Sequence, residues 1–254
     1  MNKGVRAIPW KLLVLDMDGT LLNGAGRISE QNQMWIEHAR RAGMEIALAS
    51  GRHIHYVKEA AEQLRITFPI VTNNGCEVWD PSGELIRRTG MSSGQIEWLY
   101  RLALEQHMPF RVYAADADFE SNVFHEALLD QHSWLMFMFR IREETGKLTL
   151  WEKLLAKGGF ELSMASPSKL DVNPAGISKG HAVEAICRAR GIPLKQVAAI
   201  GDGLNDESLL RRAGLGIAMG NAVDEVKAAA DWVTADCDSD GVAKAIQYIL
   251  AQGE

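Results

Sequence analysis

The sequence predicts an α/β fold in which a parallel sheet is divided by an inserted α+β segment. Short unbroken apolar runs alternate with amphipathic stretches towards both ends of the chain, as in a parallel sheet covered by helices. Between residues 76 and 174 this alternation gives way to a hairpin pattern and further strands. With 254 residues, of which 47% are hydrophobic, the chain can bury one large core or two modest ones.

The net charge of the chain indicates which class of partner it binds. A formal net charge of −6 argues against a general nucleic-acid or anionic-membrane surface, so we expect a small molecule as partner. No run reaches the roughly 18 apolar residues of a membrane span, and the opening MNKGVRAIPWK lacks the apolar core of a signal peptide. We therefore expect a cytoplasmic protein, as a monomer or small homo-oligomer. The three cysteines are far apart and in no metal-binding spacing, so we assign them no role.

The first apolar run, residues 12–15, is typical of a strand that is buried on both faces. Asp16 follows it directly, Asp18 lies two residues further on, and Gly19 and Thr20 supply turn chemistry. We therefore expect both acids to project from a tight loop at the carboxyl end of this strand. The alternative at this point is an acid-rich surface turn.

The next elements alternate in the order of a parallel sheet. Ser29 fits an N-cap position and Gly43 fits a helix stop. The predicted elements are a helix at 28–43, a strand at 45–50, a helix at 53–66 and a strand at 69–75. This βαβαβ order predicts that the strands are parallel.

From about residue 76 the pattern predicts a second unit with its own sheet. CEVWDPSGELIRR reads as a hairpin that turns at Asp80 to Gly83. The later elements expected are a helix at 92–107, a strand at 110–115, a helix at 148–158 and strands at 160–166 and 169–174. The apolar run WLMFMF, residues 134–139, is interpreted as a core strand or helix, with a pocket wall as the alternative. We assign residues 80–172 to the insert.

After the insert, strands and helices alternate again up to a C-terminal helix near residues 240–251. The pattern predicts helices within 178–191, 206–214 and 222–230, and strands within 197–203, 214–219 and 231–236. Residues 1–79 and 173–254 are therefore expected to form one domain that the insert splits.

Polar residues follow three of the predicted strands, and a glycine lies close after each. LLVLD ends in Asp16, IALAS ends in Ser50, and VAAIGD ends in Asp202. In an open parallel sheet, ligands bind outside the carboxyl ends of the strands, so these residues can converge although they are far apart in sequence.

Convergence would also crowd four carboxylates, Asp16, Asp18, Asp202 and Asp206, into one cleft. Like charges at short distance raise one another's pKa or require a cation. Mg²⁺ is the best match, because it is a hard cation that binds carboxylate oxygens and substrate phosphates.

The position of Lys179 indicates that the substrate carries a phosphate. ISKGHAVEAI places this cation in the first turn of a helix, against the helix dipole by roughly 0.3 to 1 kcal/mol. A bound phosphate would favour it, since Lys179 and the free N–H groups of the helix start could both face an anion. A solvated surface lysine is the alternative.

Four of these motifs resemble a known family. DMDGTLL, ASGR, ISKG and GDGLNDESLL, in this order, are similar to the four motifs of the haloacid dehalogenase-like (HAD) superfamily. TNNG and the tail GIAMGNAVDEVKAAADWVTADCDSDGVAKAI resemble its Cof-type subfamily (IIB) of phosphatases. The resemblance implies an α/β, Rossmann-like parallel-sheet HAD core with an inserted α+β cap domain that determines substrate specificity.

The resemblance also implies catalytic roles. It makes Asp16 the nucleophile and Asp18 the general acid/base. It makes Ser50 the residue that holds a phosphoryl oxygen, and Lys179 the bridge between the phosphoryl group and Asp16.

Metal and substrate contacts follow from the same resemblance. The metal ligands would be Asp16, the backbone carbonyl of Asp18, and Asp202, with Asp206 in support. The residues that would face the substrate are Gly51, Arg52, Asn74 and Asn205. His53 could reach the same pocket or could be a solvated residue at a helix start.

The implied function is a Mg²⁺-dependent phosphatase that hydrolyses a small-metabolite phosphate monoester, such as a sugar phosphate or a cofactor-related phosphate. A sugar phosphomutase on the same core and a binding or regulatory protein without turnover are the alternatives. Haloacid dehalogenation is disfavoured, because that reaction needs neither a metal nor an acid for the leaving group.

Overall fold

The structure, a computed structural model, describes residues 9–142 and 144–252. Most of the opening segment on which the signal-peptide prediction depends lies outside the described residues. The strands are β1 Leu12–Leu15, β2 Glu45–Leu48, β3 Ile70–Thr72, β4 Glu77–Trp79, β5 Leu85–Arg88, β6 Phe110–Ala114, β7 Asp118–Glu120, β8 Trp134–Arg140, β9 Phe160–Ser166, β10 Lys169–Pro174, β11 Val197–Gly201, β12 Leu215–Ala218 and β13 Trp232–Val233. The helices are α1 Glu30–Arg41, α2 Ile54–Gln63, α3 Ser93–Glu105, α4 Glu144–Lys157, α5 Lys179–Arg190, α6 Glu207–Arg212, α7 Asp224–Ala229 and α8 Gly241–Ala251.

Five parallel strands form the central sheet, in the order β13-β12-β11-β1-β2. Every side chain of β1 is fully buried, because alternate residues pack against helices on opposite faces of the sheet. Helices α1, α2 and α8 cover one face, and α5, α6 and α7 cover the other. The predicted α/β fold with a parallel sheet is confirmed.

The strand order reverses at β1, which pairs with β2 on one side and with β11 on the other. Sequence neighbours β1 and β2 are also neighbours in the sheet, whereas β11 comes from the far end of the chain. A crevice forms at such a reversal, outside the carboxyl ends of the strands. The functional residues predicted to converge lie at this end of β1, β2 and β11.

The β4–β5 hairpin turns where the sequence predicts it. Gly83 N donates to Asp80 O at 3.1 Å, and the Asp80 side chain accepts from Ser82 N and Glu84 N. Strand β4 pairs with β3, and β3 continues the core sheet through a parallel bridge between Ala49 and Val71. The hairpin therefore extends the edge of the core sheet.

The inserted segment builds a second, antiparallel sheet with the order β7-β6-β8-β10-β9. The apolar run at 134–139 is the central strand β8, and Trp134, Phe137 and Phe139 pack into a core with residues of α3 and α4. The prediction of a core strand is confirmed. Met136 and Met138 line the cleft, so the run also forms part of a pocket wall. The division at residues 79/80 and 172/173 stays a prediction.

No helix among residues 9–142 and 144–252 has the length and apolar character needed to span a membrane. Cys76 and Cys187 are buried, Cys237 is partly exposed, and all three are free thiols.

Candidate active site

Asp16 and Lys179 form the centre of the site. Lys179 is the first residue of α5, and its Nζ donates to Asp16 Oδ1 at 2.6 Å and to Asp206 Oδ1 at 2.7 Å. Its side chain is 1% exposed, so the interpretation as a solvated surface lysine is wrong. The lysine ties the loop after β1 to the loop after β11 across the crevice.

The charges in this cluster are only partly balanced. Burial raises the pKa of Asp16 well above its ordinary value of 3.8, and Asp206 raises it further, although Lys179 opposes both. Burial and Asp206 also raise the pKa of Asp202 to about 6. For Lys179, burial lowers the pKa, but Asp16 and Asp206 outweigh it and raise the pKa above 10.5. Three carboxylates share one lysine, and a second cation would stabilise their ionised forms.

The three acids are placed to hold a metal ion. Asp16, Asp202 and Asp206 each present one oxygen within 4.8 Å of the other two. Carboxylate oxygens are the ligands of a hard cation such as Mg²⁺. The residues present therefore fit a divalent metal. The carboxylate of Asp18 lies outside this group, and the expected contribution of Asp18 to the metal site is its backbone carbonyl.

Neighbouring loops fix the position of Asp202. Thr20 Oγ1 donates to Asp202 Oδ1 at 2.9 Å, and Asn221 Nδ2 lies 3.4 Å from Asp202 Oδ2 and donates to Gly19 O at 2.8 Å. Gly19 has a φ of +76°, and a Cβ there would collide with the Asp202 carboxylate. Sequence analysis assigned no site role to Thr20 or Asn221, although Asn221 follows the strand β12 after a glycine.

Asp206 supports the same loop. Its Oδ2 accepts hydrogen bonds from the backbone N of Asp202 at 3.1 Å and of Gly203 at 3.0 Å, while Oδ1 accepts from Lys179. A Cβ on Gly201 would lie 2.6 Å from Asp206 Cγ, so the close approach of Asp206 requires glycine at that position. These contacts fit the supporting role expected for Asp206.

Asp18 is outside the cluster of three acids and pairs with Arg52 instead. Its carboxylate accepts two hydrogen bonds from Arg52, from Nε at 2.7 Å and from Nη2 at 2.5 Å. Both side chains line the cleft beside Asp16. The structure thus brings Asp18 to the cleft, with its carboxyl group paired to a guanidinium.

Ser50, Gly51, Asn74 and Asn205 form a second group of neighbouring residues at the crevice. Ser50 is fully buried, and its Oγ accepts from Arg52 N at 3.1 Å. Asn205 Nδ2 donates to Asn74 Oδ1 at 3.1 Å. Gly51 and Asn205 line the cleft, and a Cβ on Gly51 would lie 3.0 Å from Asn74 Oδ1.

The second sheet supplies the other wall of the cleft. Its cleft face is formed by alternate residues of three strands, as the pleat requires. These residues are Arg111 and Tyr113 of β6, Met136 and Met138 of β8, and Lys169 and Asp171 of β10. The four polar residues were not expected in the site, although the alternation in FRVYAA and KLDVNP indicates a half-buried strand face.

His53 connects the two walls. It is the N-cap of α2, where its side chain accepts from His55 N, and its Nε2 donates to Ala115 O at 3.2 Å. It also lines the cleft. His53 therefore reaches the pocket, as one of the two interpretations from sequence has it, and it is partly buried at the junction of the two sheets.

Comparisons with known proteins identify the family. A sequence profile of haloacid dehalogenase-like hydrolases matches residues 13–150 and 117–246. A 5-amino-6-(5-phospho-D-ribitylamino)uracil phosphatase of Bacillus subtilis is 35% identical over 238 residues, which cover 94% of this chain and 95% of the relative. An HMP-PP phosphatase of Cronobacter sakazakii is 27% identical over 237 residues, covering 86% and 87%.

The fold is shared with solved structures of the same superfamily. A HAD subclass IIB sugar phosphatase matches with a TM-score of 0.82 and 26% identity, over 94% of this chain and 98% of that one. The chain therefore belongs to the haloacid dehalogenase-like hydrolase family, within its Cof-type (IIB) phosphatases, and is a phosphoric monoester hydrolase.

Proposed function

We propose that this enzyme is a Mg²⁺-dependent phosphatase that hydrolyses a small-metabolite phosphate monoester through an aspartyl-phosphate at Asp16. The observation that carries the proposal is the position of the Asp16 carboxylate. It lies at the bottom of the cleft, is held by Lys179, and faces a second domain that can cover a substrate. The proposal keeps the cytoplasmic location expected from the sequence.

The relatives support a small phosphorylated metabolite as substrate. Their substrates include a phosphorylated ribitylaminouracil, HMP-PP and sugar phosphates. The cleft has a volume of about 200 Å³, below the roughly 300 to 1,000 Å³ of pockets for drug-sized ligands. A sugar phosphate or a cofactor-related phosphate therefore fits this proposal better than a macromolecule.

In the first step, an Asp16 carboxylate oxygen attacks phosphorus. The bond from phosphorus to the leaving oxygen breaks, and Asp18 donates its proton to that oxygen. In the second step, Asp18 takes a proton from water, and the water oxygen attacks phosphorus. The bond to Asp16 breaks, inorganic phosphate leaves, and both aspartates return to their starting state.

The surrounding residues bind the phosphoryl oxygens. Lys179 neutralises part of their charge and keeps Asp16 oriented, since its Nζ already contacts Asp16 Oδ1. Ser50, Gly51 and Asn205 would orient the group from the side of β2 and α6. A Mg²⁺ ion held by Asp16, Asp202 and the Asp18 carbonyl would supply charge stabilisation for the transferring group.

Asp18 has to leave Arg52 before it can serve the leaving group. In the structure both of its oxygens accept hydrogen bonds from that guanidinium. A substrate that engages Arg52 would free Asp18 to turn towards the reacting oxygen. Arg52 therefore links substrate binding to the position of the acid.

The test is phosphate release over a panel of sugar phosphates, nucleotides, pyridoxal phosphate, flavin phosphates and para-nitrophenyl phosphate. We expect release with Mg²⁺, loss of release in chelator, and recovery when Mg²⁺ is restored. Full activity in chelator would refute the metal assignment. Absence of release across the panel from folded protein would contradict the proposed activity.

A further inference from the structure

Asp171 is a buried carboxylate in the cleft that the proposed mechanism does not use. It lies on β10 of the inserted sheet, its side chain is 6% exposed, and it forms part of the wall opposite Asp16. A buried carboxylate is costly unless hydrogen bonds or function compensate for it. Burial raises its pKa to about 6, with Asn74 and then Lys179 opposing. The group is therefore ionised at neutral pH.

The two oxygens of Asp171 have different surroundings. Oδ2 accepts a hydrogen bond from Asn74 Nδ2 at 3.0 Å. Within residues 9–142 and 144–252, no hydrogen bond reaches Oδ1, and this atom is not fully enclosed by protein. Oδ1 is consequently an acceptor available to a molecule in the cleft.

Asn74 connects Asp171 to Ser50 and Asn205, which are proposed to bind the phosphoryl group. Asn74 Oδ1 accepts from Asn205 Nδ2 at 3.1 Å, and Asn74 N donates to Ser50 O at 3.1 Å. Asn73 and Asn74 both have positive φ, of 49° and 53°, a strained conformation that is retained mainly where surrounding contacts require it. The strained turn aims the Asn74 amide at Asp171 and Asn205 together.

The free Oδ1 of Asp171 favours a hydrogen-bond donor as its partner. Lys169 lies two residues before it on the same face of β10, and the guanidinium of Arg111 is paired with Glu120 and lies 3.8 Å from Asp118 Oδ2. Tyr113, which is mostly buried on the same sheet face, keeps its proton because burial and then Asp171 raise its pKa to about 12. An anionic group placed against Oδ1 would meet the Asp171 carboxylate, whereas a hydroxyl or amino hydrogen would find an acceptor there.

We propose that Asp171 is a specificity-determining residue whose Oδ1 accepts a hydrogen bond from a hydroxyl or amino group of the leaving group. This inference rests on the proposed phosphatase function and deepens it. The enzyme then selects phosphate esters of polyhydroxy or amino-bearing alcohols over esters of apolar alcohols of equal length. A site built to bind a substrate hydroxyl discriminates strongly against an analogue that lacks it, because its own polar group is left unpaired.

The experiment compares kcat/KM for sorbitol 6-phosphate and hexyl phosphate, which share a six-carbon chain and differ in the hydroxyl groups. We expect the unmodified enzyme to prefer sorbitol 6-phosphate by about tenfold or more. Asp171→Ala should lower this preference by about tenfold, mainly through KM, and leave hexyl phosphate within about threefold. The matched control is Asp130→Ala, which removes an exposed carboxylate of the same domain and should leave the preference unchanged.

Asp171→Asn is the second variant, in case the alanine variant folds poorly. The amide must turn its oxygen towards the Asn74 donor, so its NH₂ would take the place of Oδ1. The variant keeps the shape and the contact to Asn74 but presents a donor to the substrate. We expect the preference for sorbitol 6-phosphate to fall, but by less than in Asp171→Ala, because a substrate hydroxyl can accept from the amide yet loses the stronger bond to a carboxylate.

An equal loss for both esters in both variants, an unchanged preference, or no preference in the unmodified enzyme would overturn the role of Asp171. Para-nitrophenyl phosphate separates this failure from failure of the proposed function. If Asp16→Asn abolishes its hydrolysis, the phosphatase assignment stands whatever Asp171 does. If the unmodified protein releases no phosphate from any ester, both proposals fall together.

Discussion

Lys179 shows how a single buried charge holds the site together. A lysine at the first position of a helix is unfavourable for the helix dipole, and burial adds a cost for removing the ammonium from water. Asp16 and Asp206, at 2.6 and 2.7 Å, compensate for both. The lysine that the proposed mechanism places beside the nucleophile is therefore also a structural link between α5 and two loops.

Lys179→Met tests this double role. Removing one partner of a buried ion pair leaves uncompensated charge, so we expect the free energy of unfolding to fall by about 3 to 5 kcal/mol. Phosphate release should be lost at the same time. Urea unfolding without added metal gives the free energy. Lys195→Met, at an exposed position, is the control and should change it by less than about 0.5 kcal/mol. A fall of similar size in the free energy of unfolding of both variants would contradict the structural role of Lys179.

At the residue scale, strand-end positions could be predicted and side-chain partners could not. Asp16, Ser50 and Asp202 follow buried apolar runs, and parallel strands bring their carboxyl ends to one edge, so the structure places them around one crevice. The pairing of Asp18 with Arg52 depends on side-chain orientation, which spacing does not determine. Asn221 reaches Gly19 from a loop 202 positions away, and nothing local in the sequence marks that contact.

At the element scale, β10 joins the two parts of the cleft. Its Asp171 contacts Asn74, and Asn173 Nδ2 approaches Asn74 O at 3.4 Å, so the strand carries contacts from the inserted sheet back to the core. The run KLDVNP predicted the strand. Its alternation marked one polar face, but only the pairing of β10 with β8 shows that this face lines the cleft.

Asp171 should also make stability depend on pH. Its folded pKa, about 6, is higher than its ordinary 3.8, so the folded state binds the proton more tightly. Protonated Asp171 contributes about 3 kcal/mol to the free energy of unfolding below about pH 4. This contribution is lost as the pH rises through 6. The titratable and charged groups facing it are Tyr113, Cys76, Lys169 and Lys179.

Asp171→Asn should abolish this fall in the free energy of unfolding, because an amide does not ionise. We expect the variant to be more stable than the parent at pH 8, by up to about 3 kcal/mol, and this gain to shrink to about half at pH 5. The measurement is urea unfolding of both proteins at the two pH values, because the difference between them cancels effects of the substitution that do not depend on pH. A gain that is equal at pH 5 and pH 8 would show that the buried carboxylate is not the cause.

At the scale of the whole molecule, we propose that the core carries the reaction and that the insert selects the substrate. In the core, Lys179 bonds to Asp16 and Asp206, and Asp202 lies with these two acids in one cluster, whereas the insert supplies a wall of mixed polar and apolar residues. The sequence predicted this division from the change in pattern near residue 76. It did not show that the β4–β5 hairpin pairs with β3, because pairing partners of a short hairpin are set by tertiary contacts.

An exchange of the insert tests the division. Replacing residues 90–176, which lie between β5 and α5, with the corresponding segment of a family member of different specificity should change the ranking of phosphate esters by kcat/KM. The requirement for Asp16 and for Mg²⁺ should remain, since those groups lie outside the exchanged segment. If a folded chimera kept the parent's ranking, the insert would not determine specificity, and Arg52, His53 and Asn74 of the core would be the better candidates.

The central claim, that Asp16 carries the phosphoryl group, is tested most directly by trapping the intermediate. The enzyme is mixed with a substrate and Mg²⁺, quenched in acid during turnover, digested, and analysed by mass spectrometry. We expect one phosphoryl group on the Asp16 side chain, and neither the adduct nor phosphate release in Asp16→Asn. Phosphate release at the parent rate by Asp16→Asn, or a phosphoryl group on a different residue, would contradict the claim.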